Sequence, residues 1–569
     1  MRATVPSADL AVILEHLEGA PGYERVRALR PSFAAATADM VDSVLREAGR
    51  FADEVLSSLN AEMDRHGCSI ENGRVTCRAP SHPGAWEEWK ELGWPRLPHD
   101  ESLGGTGLPL SVMLAVQELF DRANPAFGML PVLQRTAARL ISAFANEEQK
   151  AVWLEGLVDG SLAATICVSE PSVGSDVSQL RTRASETGDG WLVNGGKMWI
   201  SFGDHQLCDR IVHCVLANTA PPGEPPEFSI ILVEGGAAQP GAVKVVRIEE
   251  KMGLHGSPTC ELRFEDAKGT LLGARGRGLS QMFVMITSMR LAVAVGGLAV
   301  TSAAADVALS YAGQRRQGGP SHQPLLIIEH TDVQRQIMTI TARTHVLRGL
   351  CFAAGNLADL AEAEPDEAAR TSAADQLAWL LPIAKTFGAE CGFDSASGAI
   401  QVLGGAGYTA EWPVEQMLRD SRIHAIFEGT SGIQALDLVH RRVLRTQSFE
   451  AFLAQARAVE GGDWLSACLD LLEDAVAFLR GLEPKSPIVG RVAMDFLQLA
   501  ILGATGWIAA GLLAKPANSP ATETIQAAAR FWLGDLADRG RLHHARIRSG
   551  LPEIAGIEVV RRNSDLIDA

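Results

Sequence analysis

The chain has 569 residues, 47% hydrophobic and 21% charged, the balance of an ordinary globular protein with room for about three or four domains. Its net charge of -17 works against general binding of polyanions and favours solubility. Nine cysteines lie scattered without a Cys-x-x-Cys pair, so no structural metal site and no disulfide framework is expected, and reduced thiols in a cytoplasmic protein are.

The first apolar run, residues 11–14, is too short for a secretory signal. From about residue 5 to 155 the pattern is helical, with 34–59 carrying apolar residues at helical spacing. Residues 68–83 interrupt it with Gly, Asn and Pro and read as an inserted loop or short hairpin. A second break, 93–109, holds Gly104-Gly105-Thr106-Gly107, which lacks the G-x-G-x-x-G spacing, follows no strand and reads as a turn. Near Leu162 the character changes. Residues 191–196 read as a strand followed by a hairpin turn, and 210–216, 228–233, 243–248 and 260–264 are further short β-prone runs. Alanine-rich helical patterning returns at Gly278 and predicts a bundle, with more helix beyond Arg445. Residues 362–367 read as a small solvated acidic loop. Of two long apolar runs, 291–305 is short of a bilayer span. The other, 496–514, is long enough, but its Gln498, Trp507 and glycines favour a buried helix over a membrane span.

The expected fold is therefore α+β, mostly α. An N-terminal helical domain occupies 1–160, a central β-sheet or barrel domain 161–276, a four-helix-bundle domain 277–444, and an additional helical domain 445–569. The β runs cluster instead of alternating with helices, which excludes a Rossmann arrangement.

Residues 401–434 carry the most chemistry. A glycine-rich turn leads to a charged Arg-Asp-x-Arg helix and ends in Phe427-Glu428-Gly429-Thr430. Glu428 closes a semi-apolar run, 423–427, so partial desolvation is expected to raise its pKa toward the range of a general base. Arg290 stands in an apolar helix, where a charge is either paired or functional.

Four motifs in order resemble those of the acyl-CoA dehydrogenases. They are Glu91-Leu-Gly-Trp-Pro-Arg-Leu-Pro with the following Gly104-Gly105-Thr-Gly, Cys167-Val-Ser-Glu-Pro-Ser-Val-Gly-Ser-Asp176, Gly196-Lys-Met-Trp-Ile-Ser201, and the 401–434 segment. The resemblance spans about residues 86–442. Cys68-Ser-Ile-Glu-Asn-Gly-Arg-Val, Lys251-Met-Gly-Leu-His-Gly-Ser-Pro-Thr-Cys and the helical extension resemble the large four-domain subgroup, which includes the 3-methylmercaptopropionyl-CoA dehydrogenases and related large bacterial members.

The resemblance implies an FAD-dependent enzyme that desaturates an acyl-CoA thioester, with Glu428 as the base, an electron-transfer flavoprotein as acceptor, and a homodimer. It implies that Ser169 and Ser201 hydrogen-bond the isoalloxazine, that Trp199 packs on it, and that Thr430 contacts its flavin side. Gln401, Gly404 and Gly405 would approach the pyrophosphate and adenosine half, and Arg315 would reach a pyrophosphate across the dimer. Arg316 is an open alternative, because Gln314-Arg-Arg-Gln-Gly-Gly departs from the family form. Ser175 and Arg290 would serve the substrate side. Some members carry the base beside the arginine that matches Arg290, but Ser288, Met289 and Leu291 are not acidic. An oxygen-using acyl-CoA oxidase is an alternative. A DNA-associated alkylation-response homologue and a flavin-free homologue are others, the former disfavoured by the acidic chain and its nearly neutral tail.

Overall fold

The computed structural model describes residues 3–552 except 236, 237, 461 and 484; the end of the expected fourth domain, 553–569, lies outside the described residues. Helices form where apolar residues recur every three or four positions. The helix Ala38–Phe51 buries Val41, Leu45, Ala48 and Phe51 along one stripe, and the Thr37 hydroxyl caps it by accepting from Met40 N at 3.3 Å. The interruption after it is a hairpin, β1 (Cys68–Glu71) and β2 (Arg74–Cys77). Its turn, Asn72-Gly73, takes positive φ at both residues, as a two-residue hairpin requires. Two helices follow, α1 (Leu110–Ala123) and α2 (Pro125–Phe144). Every residue of α1 from Ser111 onward is buried, so it is a core helix rather than a surface one.

The strands β3 (Leu162–Cys167), β4 (Arg183–Thr187), β5 (Gly190–Ser201), β6 (Arg210–Asn218), β7 (Phe228–Glu234), β8 (Val243–Ile248) and β9 (Thr259–Leu271) form one sheet. Its order is β3-β6-β4-β5-β9-β7, and β7 also pairs with β6, so five strands close on themselves, with β3 and β8 attached at the sides. The predicted turn at Asn194-Gly195-Gly196 does not form: β5 continues through it with a bulge between Val193 and Gly195. The chain reverses instead before β5, where Thr187 pairs with Gly190. Gly195 is needed for close approach, since a Cβ there would meet the Thr182 hydroxyl at 2.5 Å.

Beyond the sheet come three long helices, α3 (Gly278–Ala312), α4 (Thr331–Ala363) and α5 (Glu367–Leu403), then the short α6 (Val414–Ser421) and α7 (Ser431–Asp437) and the long α8 (Pro487–Leu513). The small residues of α3 serve packing. A Cβ on Gly297 would sit 2.0 Å from the Gly388 carbonyl oxygen, and one on Gly388 would sit 2.6 Å from that of Ala294. Gly392 faces Gly297 in turn, so α3 and α5 run parallel with their backbones in contact.

The buried Arg348 of α4 donates to Glu118 of α1 at 2.6 Å, which ties the bundle to the N-terminal helices. The acidic loop is not simply solvated: Glu364 is 3% exposed and paired with Arg25, because the two long helices turn there against the N-terminal region. α3 and α8 are long and apolar enough to cross a membrane by length and composition, yet most of each apolar stretch is buried inside the protein. Trp379 of α5 stacks on Phe452 at 5.8 Å and meets Phe496 of α8 edge-on, which joins the last helices to the bundle.

Because the α3–α5 contact leaves no room for a methyl group, Gly297→Ala is expected to cost about 1–3 kcal/mol through overpacking. A lower urea midpoint than wild type is the expected result, and an unchanged midpoint would show that the helices separate freely.

Candidate active site

The segment leading to Glu428 leaves the helix α6 and turns sharply before α7. Glu428 has φ 54 and Gly429 φ 87, two left-handed residues in succession. Glutamate adopts this conformation only when its surroundings impose it. Two buried side chains do so. Lys385 Nζ of α5 donates to the Gly429 carbonyl at 2.7 Å, and Gln434 Nε2 of α7 donates to the Glu428 carbonyl at 2.9 Å and to that of Gly429 at 3.2 Å. A side chain at position 429 would strike Gln434 Nε2 at 2.8 Å, so glycine is required. Among the described residues the Glu428 N–H has no intramolecular acceptor.

Burial raises the Glu428 carboxyl above the ordinary carboxylate range, and the charges of Arg290 and then Lys385 pull it partly back. Lys385 is pushed down to about 8, first by burial; the Glu428 charge opposes this and that of Arg290 adds to it. The imidazole of His424 is held near 4 by burial and then by Lys385, so it is neutral. It stacks on Phe427 at 5.7 Å and extends the apolar wall before the carboxylate. Arg290 is paired, as a charge in an apolar helix requires: its Nη1 donates to Asp437 Oδ2 at 2.9 Å, with the two side chains 11% and 6% exposed.

Ser169, Trp199 and Ser201 form a second group, at β5 and the loop after β3. The connection is a buried ion pair. Lys197 Nζ lies 2.9 Å from Glu170 Oε1 and donates also to the Val168 carbonyl at 2.9 Å. Burial works to raise the Glu170 carboxyl, but Lys197 and the N–H groups of Arg181 and Thr182 outweigh it and lower it. Met198 N then donates to the Ser169 carbonyl at 2.9 Å. A second irregularity of β5, between Lys197 and Ile200, gives Trp199 φ 63 and leaves its indole 57% exposed. Trp199 is thus no core residue. An outward-facing indole beside the half-buried Ser169 and Ser201 fits a flat polar ring system. Ser175 is exposed on the same loop. Thr430 caps α7, its hydroxyl accepting from Ile433 N at 3.4 Å, and keeps its own proton to donate.

The third group lies elsewhere. Gln401, Gly404 and Gly405 are exposed at the end of α5, and the space where a Cβ on either glycine would stand is open. The rise of an α-helix puts Gln401 about 24 Å beyond Lys385. Arg315 is exposed just past the end of α3, near which Tyr311 packs edge-on against Trp412 at 5.1 Å. Arg316 Nη1 is used within its own loop, donating to the Pro324 carbonyl at 2.9 Å, whereas the Arg315 side chain has no such partner among the described residues. The structure therefore brings Glu428 and Arg290 together, groups Ser169 with Trp199 and Ser201, and leaves the glycine turn and Arg315 at the far end of the same two helices.

Lys385, Gln434 and the Glu170–Lys197 pair escape the sequence reading. Lys385 carries the same signal as Arg290, a lone charge in an apolar helical run. Gln434 carries none, because its role depends on the turn that folds it back.

Three family profiles match: "Acyl-CoA dehydrogenase, N-terminal domain" over residues 40–161, "middle domain" over 165–267 and "C-terminal domain" over 276–444. The 3-methylmercaptopropionyl-CoA dehydrogenase of Ruegeria pomeroyi is 35% identical, over 89% of this chain and 90% of its own. Among solved structures, an acyl-CoA dehydrogenase complexed with FAD from Bacillus anthracis shares the fold with a TM-score of 0.76 at 20% identity, over 93% of this chain and 91% of that one. A structure described as the electron transferring flavoprotein of Acidaminococcus fermentans matches with a TM-score of 0.60 at 25% identity, over 71% and 98%. With a relative this similar along nearly its whole length, the chain belongs to the acyl-CoA dehydrogenase family and is an oxidoreductase.

Proposed function

We propose that the protein is an FAD-dependent acyl-CoA dehydrogenase in which the Glu428 carboxylate takes the α-proton of the thioester. The observation that carries this reading is the half-buried Glu428, held in a left-handed turn, with its carboxyl raised by burial and acted on by two cations. An α-C–H is weakly acidic, so the base must be poised and the building enolate charge must be met. Burial makes Glu428 a stronger base than a surface carboxylate, and the charges of Arg290 and then Lys385 oppose that rise. Its unused N–H is available to donate to the thioester oxygen. No residue adjacent to Arg290 is acidic, so Glu428 has no rival there.

FAD, which the Bacillus anthracis structure is named as binding, would supply the acceptor for the β-hydrogen. Trp199 would cover the ring, Ser169, Ser201 and Thr430 would donate to its polar edge, and Ser175 would face the CoA side. The open glycine turn and Arg315 suit a pyrophosphate, through close backbone approach and forked donors. That end stands roughly 30 Å from Arg290 along α3, too far to serve the ring site of the same chain by a side chain alone. A homodimer in which each copy lends its glycine turn and Arg315 to the other resolves the distance. The electrons pass on to an electron-transfer flavoprotein, in keeping with the Acidaminococcus match. The nine unpaired cysteines suit a cytoplasmic setting.

Glu428→Gln is expected to retain FAD and acyl-CoA binding but to slow anaerobic flavin bleaching about 10²–10⁴-fold. The panel of thioesters should begin with 3-methylmercaptopropionyl-CoA, the substrate in the name of the Ruegeria relative. Unchanged bleaching would remove Glu428 from its role. In air without an added acceptor, little hydrogen peroxide should form; a yield matching substrate consumed would make the enzyme an oxidase. Arg315→Gln is expected to weaken FAD retention tenfold or more, the loss of a charge-assisted hydrogen bond of about 1.5–3 kcal/mol. Arg316→Gln should not, and the reverse result would exchange their roles.

A further inference from the structure

We propose that Lys385 is the positioning residue of the base: its ammonium fixes the Gly429 carbonyl and supplies, beside Arg290, a second positive charge that favours the ionised form of Glu428. The proposal rests on the assignment of Glu428 as base.

The first observation is burial without an ion pair. Lys385 is 0% exposed. Among the described residues its ammonium forms no salt bridge, and its hydrogen bond goes to a neutral carbonyl, Gly429 O, at 2.7 Å. A buried charge with so little compensation is costly unless another charge nearby repays it. Glu428 is the anion that acts on Lys385 most strongly, with Glu390 of α5 behind it.

The second observation is the contrast with Arg290, the other cation facing the carboxylate. Arg290 comes from α3 and is committed to Asp437 at 2.9 Å. Asp437 also faces Arg441 at 3.4 Å and Arg442 at 3.8 Å. Arg290 acts on Glu428 more strongly than Lys385 does, but its guanidinium is held by the Asp437 carboxylate and not by the base segment. His424, four residues before the base, is neutral. Lys385 is the second of the two cations acting on Glu428, and the one whose hydrogen bond goes to the base segment itself.

The third observation is mechanical. The hydrogen bond lands on the residue next to the base, in a backbone turn of two left-handed residues. Removing it would free the Gly429 carbonyl on one side and leave Gln434 to hold the turn alone. Charge and tether thus come from one atom, and they can be separated by mutation.

The experiment is the rate of anaerobic bleaching against pH, in holoenzyme that retains its FAD absorbance. A carboxylate base works above its pKa, so losing the cation moves the acid limb upward. Lys385→Gln keeps a donor for Gly429 and removes the charge. Its limb is expected to shift up by about one pH unit, with the plateau rate preserved. Lys385→Met, which removes both, should show the same shift and a lower plateau. An unshifted limb in a flavin-loaded Lys385→Gln enzyme overturns the proposal. Should neither neutral variant retain FAD through purification, the same acid limb is read with excess FAD supplied in the assay, and an unshifted Lys385→Gln limb there overturns the proposal. Glu428→Gln run in parallel keeps the two readings apart. If it bleaches normally, the base assignment has failed; if it is dead while Lys385→Gln matches wild type, only the role of Lys385 has.

Discussion

The contact on which the site depends is the one between the backbones of α3 and α5. Glycines 297, 388 and 392 let two long helices run in parallel closer than any side chain would permit. Arg290 lies two turns before this contact on one helix and Lys385 one turn before it on the other. Parallel direction puts both cations at the same level, and close approach lets both act on one carboxylate. Helices held at an ordinary separation by larger residues would move the two charges apart by several ångström. In a partly buried site that distance governs how strongly each acts on Glu428.

The electrostatics follow from an opposition that neither term wins outright. Burial pushes the Glu428 carboxyl up, toward its protonated form. Full pairing with a neighbouring guanidinium would make it a spectator, ionised but weakly basic. The observed arrangement lies between. Arg290 is diverted to Asp437, Lys385 is anchored on a carbonyl instead of a carboxylate, and the carboxyl of Glu428 remains above its ordinary range. On the proposed reading, a poised base results from satisfying each nearby cation with something other than the base.

Much of this was legible in the sequence because it rests on local signals. Glu428 between an aromatic residue and a glycine, Arg290 in an apolar helix, the hairpin at 68–77 and the β-rich middle all show in composition and spacing. What did not show depends on tertiary contact. Asn194-Gly195-Gly196 has the residues of a hairpin turn, yet it forms a bulge within one strand, where Gly195 lies against Thr182. Residues 362–367 look like a solvated loop, yet the N-terminal helices bring Arg25 to bury Glu364. Lys385 was visible as a lone charge, but its importance lies in the turn 44 residues later to which it donates.

The sequence motifs of the β region gain a physical reading from their geometry. Glu170 and Lys197 form a buried clamp between the loop after β3 and strand β5. The residues fitted to meet a ring system are their immediate neighbours: Ser169 precedes the glutamate, and Trp199 stands two residues past the lysine. The clamp lines are drawn inward and the functional side chains face outward, with Trp199 forced out by its left-handed backbone. The same division appears in the base segment, where Lys385 and Gln434 hold the carbonyls inward and leave the carboxyl and the N–H of Glu428 to act. In both places a buried polar anchor lies within one or two residues of the group proposed to act. Such anchors therefore sit inside the very motifs by which the active groups are recognised.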